Sequence, residues 1–502
     1  MLNSISYYRD LFGNKKDFDK LKLYDNITLL LDDVTSKFKD YIALRWKEKE
    51  VSYFDFNQDV GKLRHLLIDK GIKKGDHVGL MFRNEYDFVV SFFAVVTLGA
   101  VSAIMPSSLP SVAINGLIHK FDLKMIIYNE DVKENIKDIS GVIKLSNEDL
   151  YNHDLSYIKG DTSLEKYTPA CIVFTGGTTG SPKGALLSHI NLCRGALNGC
   201  YVCGKVFHLK YVSLIPFTHV FGLVKNLLSN FVSGSSLYMV KEPSGFVKEM
   251  SVAQPEVMVL TPALGRLVLN IINMYGKEVF GAHFKDIIAG GAAVPPELIL
   301  AFKDIGIRVS PGYGLTESAN LVSGNGSSFE KPSSVGIIYP EQEVQIVDDE
   351  ILIKGDNIFL GYYNDPINTN KVLIDGWLHT GDLGRFDDEG FLYIIGRKNN
   401  LIVLPSGLKV SPEEIEAIIN RFPLIQDTVV YYDNNKSILI AEIYPNFQAI
   451  GMKKISNHED LIKNYVFNEV NSGLDNHAKI GDVIFRKEDF RRSPAMKIIR
   501  EH

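Results

Sequence analysis

From about residue 25 to residue 400 the chain alternates short runs of apolar, β-branched residues with longer stretches of helical apolar periodicity. The short runs predict strands at His77–Phe82, Lys124–Tyr128, Cys171–Thr175, Tyr211–Ile215, Ser236–Val240, Val257–Leu260 and Asp286–Ala289. Val220–Phe231 and Ala263–Met274 predict helices between them. Strands that are apolar throughout and separated by helices predict sheets covered on both faces. Phe88–Met105 carries no charge for 18 residues, the lower edge of a membrane span. Gly99 interrupts it, Pro106 ends it and no basic cluster flanks it. A buried helix running into a buried strand is therefore the expectation, and no transmembrane segment.

After residue 340 the texture changes to short alternating strands, Glu350–Lys354 and Phe391–Ile395. The last hundred residues have a plan of their own. A helix is predicted at Glu413–Asn420, strands at Thr428–Tyr432 and Ile438–Ile443, a helix near Asp460–Val470 and a strand near Val483–Arg486. The polar run Arg397-Lys398-Asn399-Asn400 marks the boundary. The expected architecture is a large N-terminal α/β domain, residues 1–397, of layered sheets and helices with a small β subdomain. A small α+β C-terminal domain, residues 398–502, follows it. No internal repeat or low-complexity tract is visible.

At 502 residues, with 45% hydrophobic and 23% charged positions, the chain has material for two to four domains with large cores. Its formal net charge of −6 argues against a nucleic-acid-coating function, which needs a basic excess. Four cysteines make no disulfide framework, and MLNSISYYRD lacks a basic region followed by an apolar run, which predicts a reduced, cytoplasmic protein. Cys193, Cys200 and Cys203 stand close together before His208, but no second ligand pair follows as a zinc site would require.

Thr175–Gly184 reads TGGTTGSPKG, directly after the apolar CIVF and ahead of a predicted helix. Thr175, Gly176, Gly177, Thr178, Thr179 and Gly180, with Lys183, offer free backbone N–H groups, hydroxyl donors and a cation. Those are the parts that wrap a polyphosphate. It is not a Walker loop, because Pro182 stands where that pattern places glycine.

This segment resembles the phosphate loop of the adenylate-forming superfamily, which includes acyl-CoA synthetases, peptide-synthetase adenylation domains and luciferases. Later segments resemble the superfamily's other motifs in the same order: PFTHVFGL (Pro216–Leu223), GGAAVPPEL (Gly290–Leu298), PGYGLTE (Pro311–Glu317), ILIKGDNIFLGYY, GWLHTGDLG and GRKNNLIVLPSGLKVSPEEIE. The resemblance implies a nucleotide cradle of Gly290, Gly291, Ala292, Gly312, Tyr313 and Gly314, with the Tyr313 ring stacking on adenine. It implies that Thr316 donates to the α-phosphate and that Glu317 holds Mg²⁺, a hard cation suited to oxygen ligands. Taken alone, a Thr-Glu pair reads as a helix start. Asp382 is expected to accept the ribose hydroxyls and Arg397 to support the same sugar. His219 is expected at the mouth of the acyl pocket, and Gly407 beside the path of a pantetheine arm. The tail RRSPAMKIIR resembles the catalytic C-terminal segment and gives Lys497 the leading catalytic role.

Two positions depart from the family pattern. Met496 stands where a glycine precedes the lysine, and Asn399 where relatives carry a charged hinge residue. The expected activity is ATP-dependent activation of a small-molecule carboxylic acid to an acyl-adenylate, then transfer to coenzyme A, with a mobile C-terminal domain. Phe217–Phe221 contains no acid to hold a substrate amine, so a medium- or long-chain fatty acid is expected. The alternatives are an aryl-acid CoA ligase, a ligase loading a phosphopantetheinyl carrier protein, and a degenerate nucleotide-binding protein without activity.

Overall fold

Apolar strands need cover on both faces, and two large sheets interleaved with helices provide it. The computed structural model describes residues 4–151, 155–175, 183–240, 246–492 and 498–500. One sheet runs in spatial order Gly361–Tyr362, Lys183–Ser188, Pro169–Thr175, Val101–Pro106, His77–Phe82, Leu123–Tyr128 and Ile143–Ser146. Its strands from Pro169–Thr175 onward are parallel. The second has nine strands: Ile337–Ile338, Ser323–Gly324, Arg308–Tyr313, Asp286–Ala289, Val257–Leu260, Lys210–Ser213, Ser236–Met239, Ile42–Trp46 and Lys49–Ser52. Its middle six are parallel.

The uncharged run resolves into helix Tyr86–Thr97, buried from Phe88 to Thr97, and strand Val101–Pro106. Gly99, at φ +84°, makes the turn between them. Among the described residues no helix is long and apolar enough to cross a membrane.

A third, antiparallel sheet holds Glu343–Val347, Glu350–Lys354, Trp377–Phe386, Leu373–Ile374 and Leu392–Arg397. The smaller C-terminal domain has its own core, in which Val410, Ile415, Ile419, Val430, Ile443 and Val466 pack together. Ile425–Asp433 pairs antiparallel with Ile438–Pro445, and Ile480–Phe485 adds in parallel. The fold is thus a large N-terminal α/β domain followed by a smaller α+β one.

Two elements differ from the sequence expectation. A strand, Lys183–Ser188, follows the Gly/Thr-rich loop in place of the expected helix, and it pairs antiparallel with Pro169–Thr175. Its three apolar residues Ala185–Leu187 are too few for a helical period. Ser188 then caps helix His189–Asn198 in a reciprocal box with Asn191. The second difference lies in Val220–Phe231, where Phe221–Leu228 is wound as a π-helix before a short α-turn.

Candidate active site

Asp382 and Arg397 are register partners on adjacent antiparallel strands. The Arg397 Nε lies 2.5 Å from Asp382 Oδ1, and the Tyr313 hydroxyl donates to Oδ2 at 2.7 Å. Asp382 is 4% exposed. Burial, with the Asp382 carboxylate beside it, holds the Tyr313 hydroxyl protonated.

Next to Asp382, the Gly381 N–H donates to Glu350 Oε1 at 3.0 Å, and Lys398 Nζ donates to Oε2 of the same carboxylate at 2.7 Å. Burial would raise the Glu350 pKa, but the Lys398 ammonium and the Gly381 N–H hold it below the usual range. The strand bearing Asp382 is thereby tied to the residue after Arg397.

Tyr313 ends strand Arg308–Tyr313, and the backbone beyond it folds back tightly. A Cβ on Gly314 would lie 1.2 Å from the Asn320 carbonyl oxygen, so no other residue fits. Thr316–Ser318 forms a 3₁₀ turn. Ala319 and Asn320 follow at φ +48° and +82°, a left-handed pair that non-glycine residues enter at a cost. The Glu317 carboxylate accepts from the Tyr362 hydroxyl at 2.7 Å, and Lys183 Nζ stands 5.0 Å from the Tyr362 ring centroid. Tyr362 therefore bridges the ends of two sequence motifs. Thr175 is the register partner of Lys183. Gly176, Gly177, Thr178, Thr179, Gly180 and Lys497 lie outside the described residues.

Gly290, Gly291 and Ala292 follow strand Asp286–Ala289. A Cβ on Gly290 would meet the Phe221 ring at 3.2 Å, so the glycine leaves a flat floor there. His219 is half-buried at the end of a turn, its N–H donating to Pro216 O at 3.0 Å. Asn84 fixes that turn: its amide nitrogen donates to Ser213 Oγ at 2.6 Å and Ile215 O at 2.8 Å, and its oxygen accepts from Phe217 N at 2.8 Å.

These groups share a cavity of about 1280 Å³. Lys183, His219, Gly290–Ala292, Gly312–Glu317, Asp382, Arg397 and Asn399 line it. So do apolar residues such as Val240, Phe246 and Leu264, and Gly199, Tyr201, Cys203, Lys225 and the N-terminal Tyr8 and Leu11. Helix Ser4–Leu11 is held there by the Tyr8 hydroxyl, which donates to Gly324 O at 3.0 Å and Ile337 O at 2.6 Å. Gly407 is not brought to this cavity. It sits at an exposed hairpin turn, φ +82°, where an added Cβ would meet nothing within 4 Å.

Cys193, Cys200 and Cys203 are buried free thiols. Among the described residues no group of three or more His, Cys, Asp or Glu side chains could hold a metal ion.

Sequence reasoning did not find Asn84, Tyr362, Glu350 or Lys225. The first three act across large sequence separations; Asn84 and Glu350 carry no local signal, and Tyr362 lies in the motif ILIKGDNIFLGYY without a role readable from it. Lys225 does carry one: it is the single charge in Val220–Val232.

A family profile described as AMP-binding enzyme matches residues 31–363. The 2-succinylbenzoate–CoA ligase of Bacillus cytotoxicus is 26% identical over 404 residues, spanning 78% of this chain and 82% of that protein. The o-succinylbenzoate CoA synthetase of Bacillus subtilis, in complex with the acyl-adenylate intermediate OSB-AMP, superposes with a TM-score of 0.79 at 20% identity, covering 93% and 96% of the two chains. The anthranilate CoA ligase AuaEII, in complex with anthranoyl-AMP, superposes with a TM-score of 0.82 at 20% identity, covering 96% of each. At these identities the likeness is one of fold.

Proposed function

The chain belongs to the AMP-binding enzyme family, and from that premise we propose that it is an acid–CoA ligase that activates a carboxylic acid with ATP and passes the acyl group to coenzyme A. The observation that carries this reading is the continuity of one cavity. It runs from the Asp382–Arg397 pair past Tyr313 and Gly290–Gly291 to His219 and an apolar wall.

A carboxylate repels nucleophiles and has no leaving group. In the first step its oxygen attacks the α-phosphorus of ATP, the bond to pyrophosphate breaks and an acyl-adenylate forms. In the second the thiolate adds to the acyl carbonyl and AMP departs with the bonding pair. Negative charge gathers at the α-phosphate in the first step. The N–H groups of residues 175–180, Lys183, Thr316 and Lys497 oppose it by preorganised electrostatics. Asp382 and Arg397 hold the ribose, and His219 lies beside the substrate carboxylate.

The donor set fits Mg²⁺ bound chiefly through phosphate oxygens and water: Glu317 offers one hard carboxylate, without a protein cage around it among the described residues. Such an ion shields phosphate charge when bound. We place the domain boundary between Arg397 and Lys398. The small domain turns about Asn399 between the half-reactions, bringing Lys497 in for the first and Gly407 for the second.

The acid has an apolar body. The sequence expectation is a fatty acid; the 2-succinylbenzoate and anthranilate ligases among the relatives favour an aryl acid, and favour coenzyme A over a carrier protein. ATP–pyrophosphate exchange with a panel of alkyl and aryl acids tests the reading. Exchange is expected to depend on acid and on Mg²⁺, and AMP release on added coenzyme A. Exchange that no acid stimulates would overturn the assignment, and faster AMP release with a loaded carrier than with coenzyme A would change the acceptor.

A further inference from the structure

Lys225 is 2% exposed, on the π-helix that also carries Phe221. Its ammonium donates to Gly199 O at 2.7 Å and lies 5.2 Å from the Tyr211 ring centroid. Among the described residues no carboxylate pairs with it. An ammonium has three donors, and a buried cation without a counter-charge is expensive. Burial pushes its pKa down to about 8, against a small opposing effect of the Cys200 thiol, so most of it is charged at neutral pH.

The position of this charge gives it meaning. Phe221 lies against Gly290, near the adenylate end of the cavity. Lys225 lines the same cavity four residues further along the same π-helix. Gly199, whose carbonyl takes its hydrogen bond, lines the cavity beside it. His219 lines that cavity too, so an acid seated with its carboxylate at His219 shares the chamber with the Lys225 ammonium.

We propose that Lys225 is a specificity-determining residue that selects acids whose far end carries a second anionic or strongly accepting oxygen group, a carboxylate foremost. This rests on the acid–CoA ligase reading above and narrows it: the substrate has an apolar middle and two polar ends. The second group supplies the missing counter-charge, whereas a methyl end leaves the buried donors unmatched, and polar pockets discriminate strongly against such analogues.

The test uses pairs of alkyl and aryl acids matched in length, one of each pair tipped with a carboxylate and the other with a methyl group. ATP–pyrophosphate exchange gives kcat/KM for each. The wild-type enzyme is expected to prefer the carboxylate-tipped member of the best pair by at least ~10-fold. Lys225→Met is expected to lose ~100-fold on that acid and to gain on its methyl-tipped partner, reversing the order. A wild-type preference for the methyl-tipped member in every pair would overturn the proposal and make Lys225 a strut between the π-helix and Gly199. The wild-type ratio decides this alone if the variant does not fold. Exchange with neither member of any pair would instead bring down the ligase reading, and this inference with it.

Discussion

Asp382 is buried and already shared by Arg397 and Tyr313, so its position is fixed before any sugar arrives. If two ribose hydroxyls donate to it, as proposed, each makes a hydrogen bond to a charged acceptor worth ~1.5–3 kcal/mol. Asp382→Ala is expected to weaken nucleotide binding by ~150-fold or more, read by calorimetry; an unchanged affinity would reduce Asp382 to a partner of Arg397. Two residues singled out from separate local motifs, Asp382 from HTGDLG and Tyr313 from PGYGLTE, meet in the structure. Lys225 escapes that kind of reading because it lies two residues beyond the motif PFTHVFGL, which ends at Leu223, and because the search there is for an acid that could bind an amine. A buried cation asks the opposite question of the substrate. Tyr362 lies inside the motif ILIKGDNIFLGYY, but no role could be read for it there, since its contact with Glu317 crosses 45 residues.

At the scale of elements the parallel strands are legible because both of their faces are buried, which leaves an unbroken apolar run. The strand Lys183–Ser188 is not, because it is short, sits one strand in from the edge Gly361–Tyr362 and is bounded by a glycine and a helix cap. The helix after it, His189–Asn198, is buried along its whole length. His189 Nδ1 accepts from Ile27 N at 3.3 Å. Burial, with Lys74 nearby and against a weaker pull from Asp161, lowers the His189 pKa from 6.5 to about 4. The folded protein thus refuses a proton that the unfolded chain accepts, so stability is intact above pH 6.5 and falls as the pH drops toward 4. The loss is on the order of 3 kcal/mol across that window. His189→Gln keeps an acceptor and cannot titrate, so its melting temperature should fall less steeply than wild type between pH 6.5 and 4. Parallel slopes for the two proteins would show that His189 contributes nothing to the acid sensitivity.

For the molecule as a whole, the two half-reactions should separate by mutation if the small domain turns between them. On the proposed reading Lys497→Ala removes a cation needed only while charge builds at the α-phosphate, so adenylation should fall at least ~100-fold, about 2.7 kcal/mol. Supplied acyl-adenylate should still be consumed with coenzyme A. Gly407→Trp, at an exposed turn, should do the reverse. Equal slowing of both steps by Lys497→Ala would contradict the rotation. Helix Ser4–Leu11 precedes the residues matched by the family profile, yet it closes part of the cavity through Tyr8, whose partners Gly324 and Ile337 lie 316 and 329 residues further on. A ribosome adding ~5–20 residues per second takes about 15–65 s to cover that distance. Through that interval the helix has been made and its seat has not, so the wall nearest Leu11 is among the last parts of the substrate chamber to close on the nascent chain.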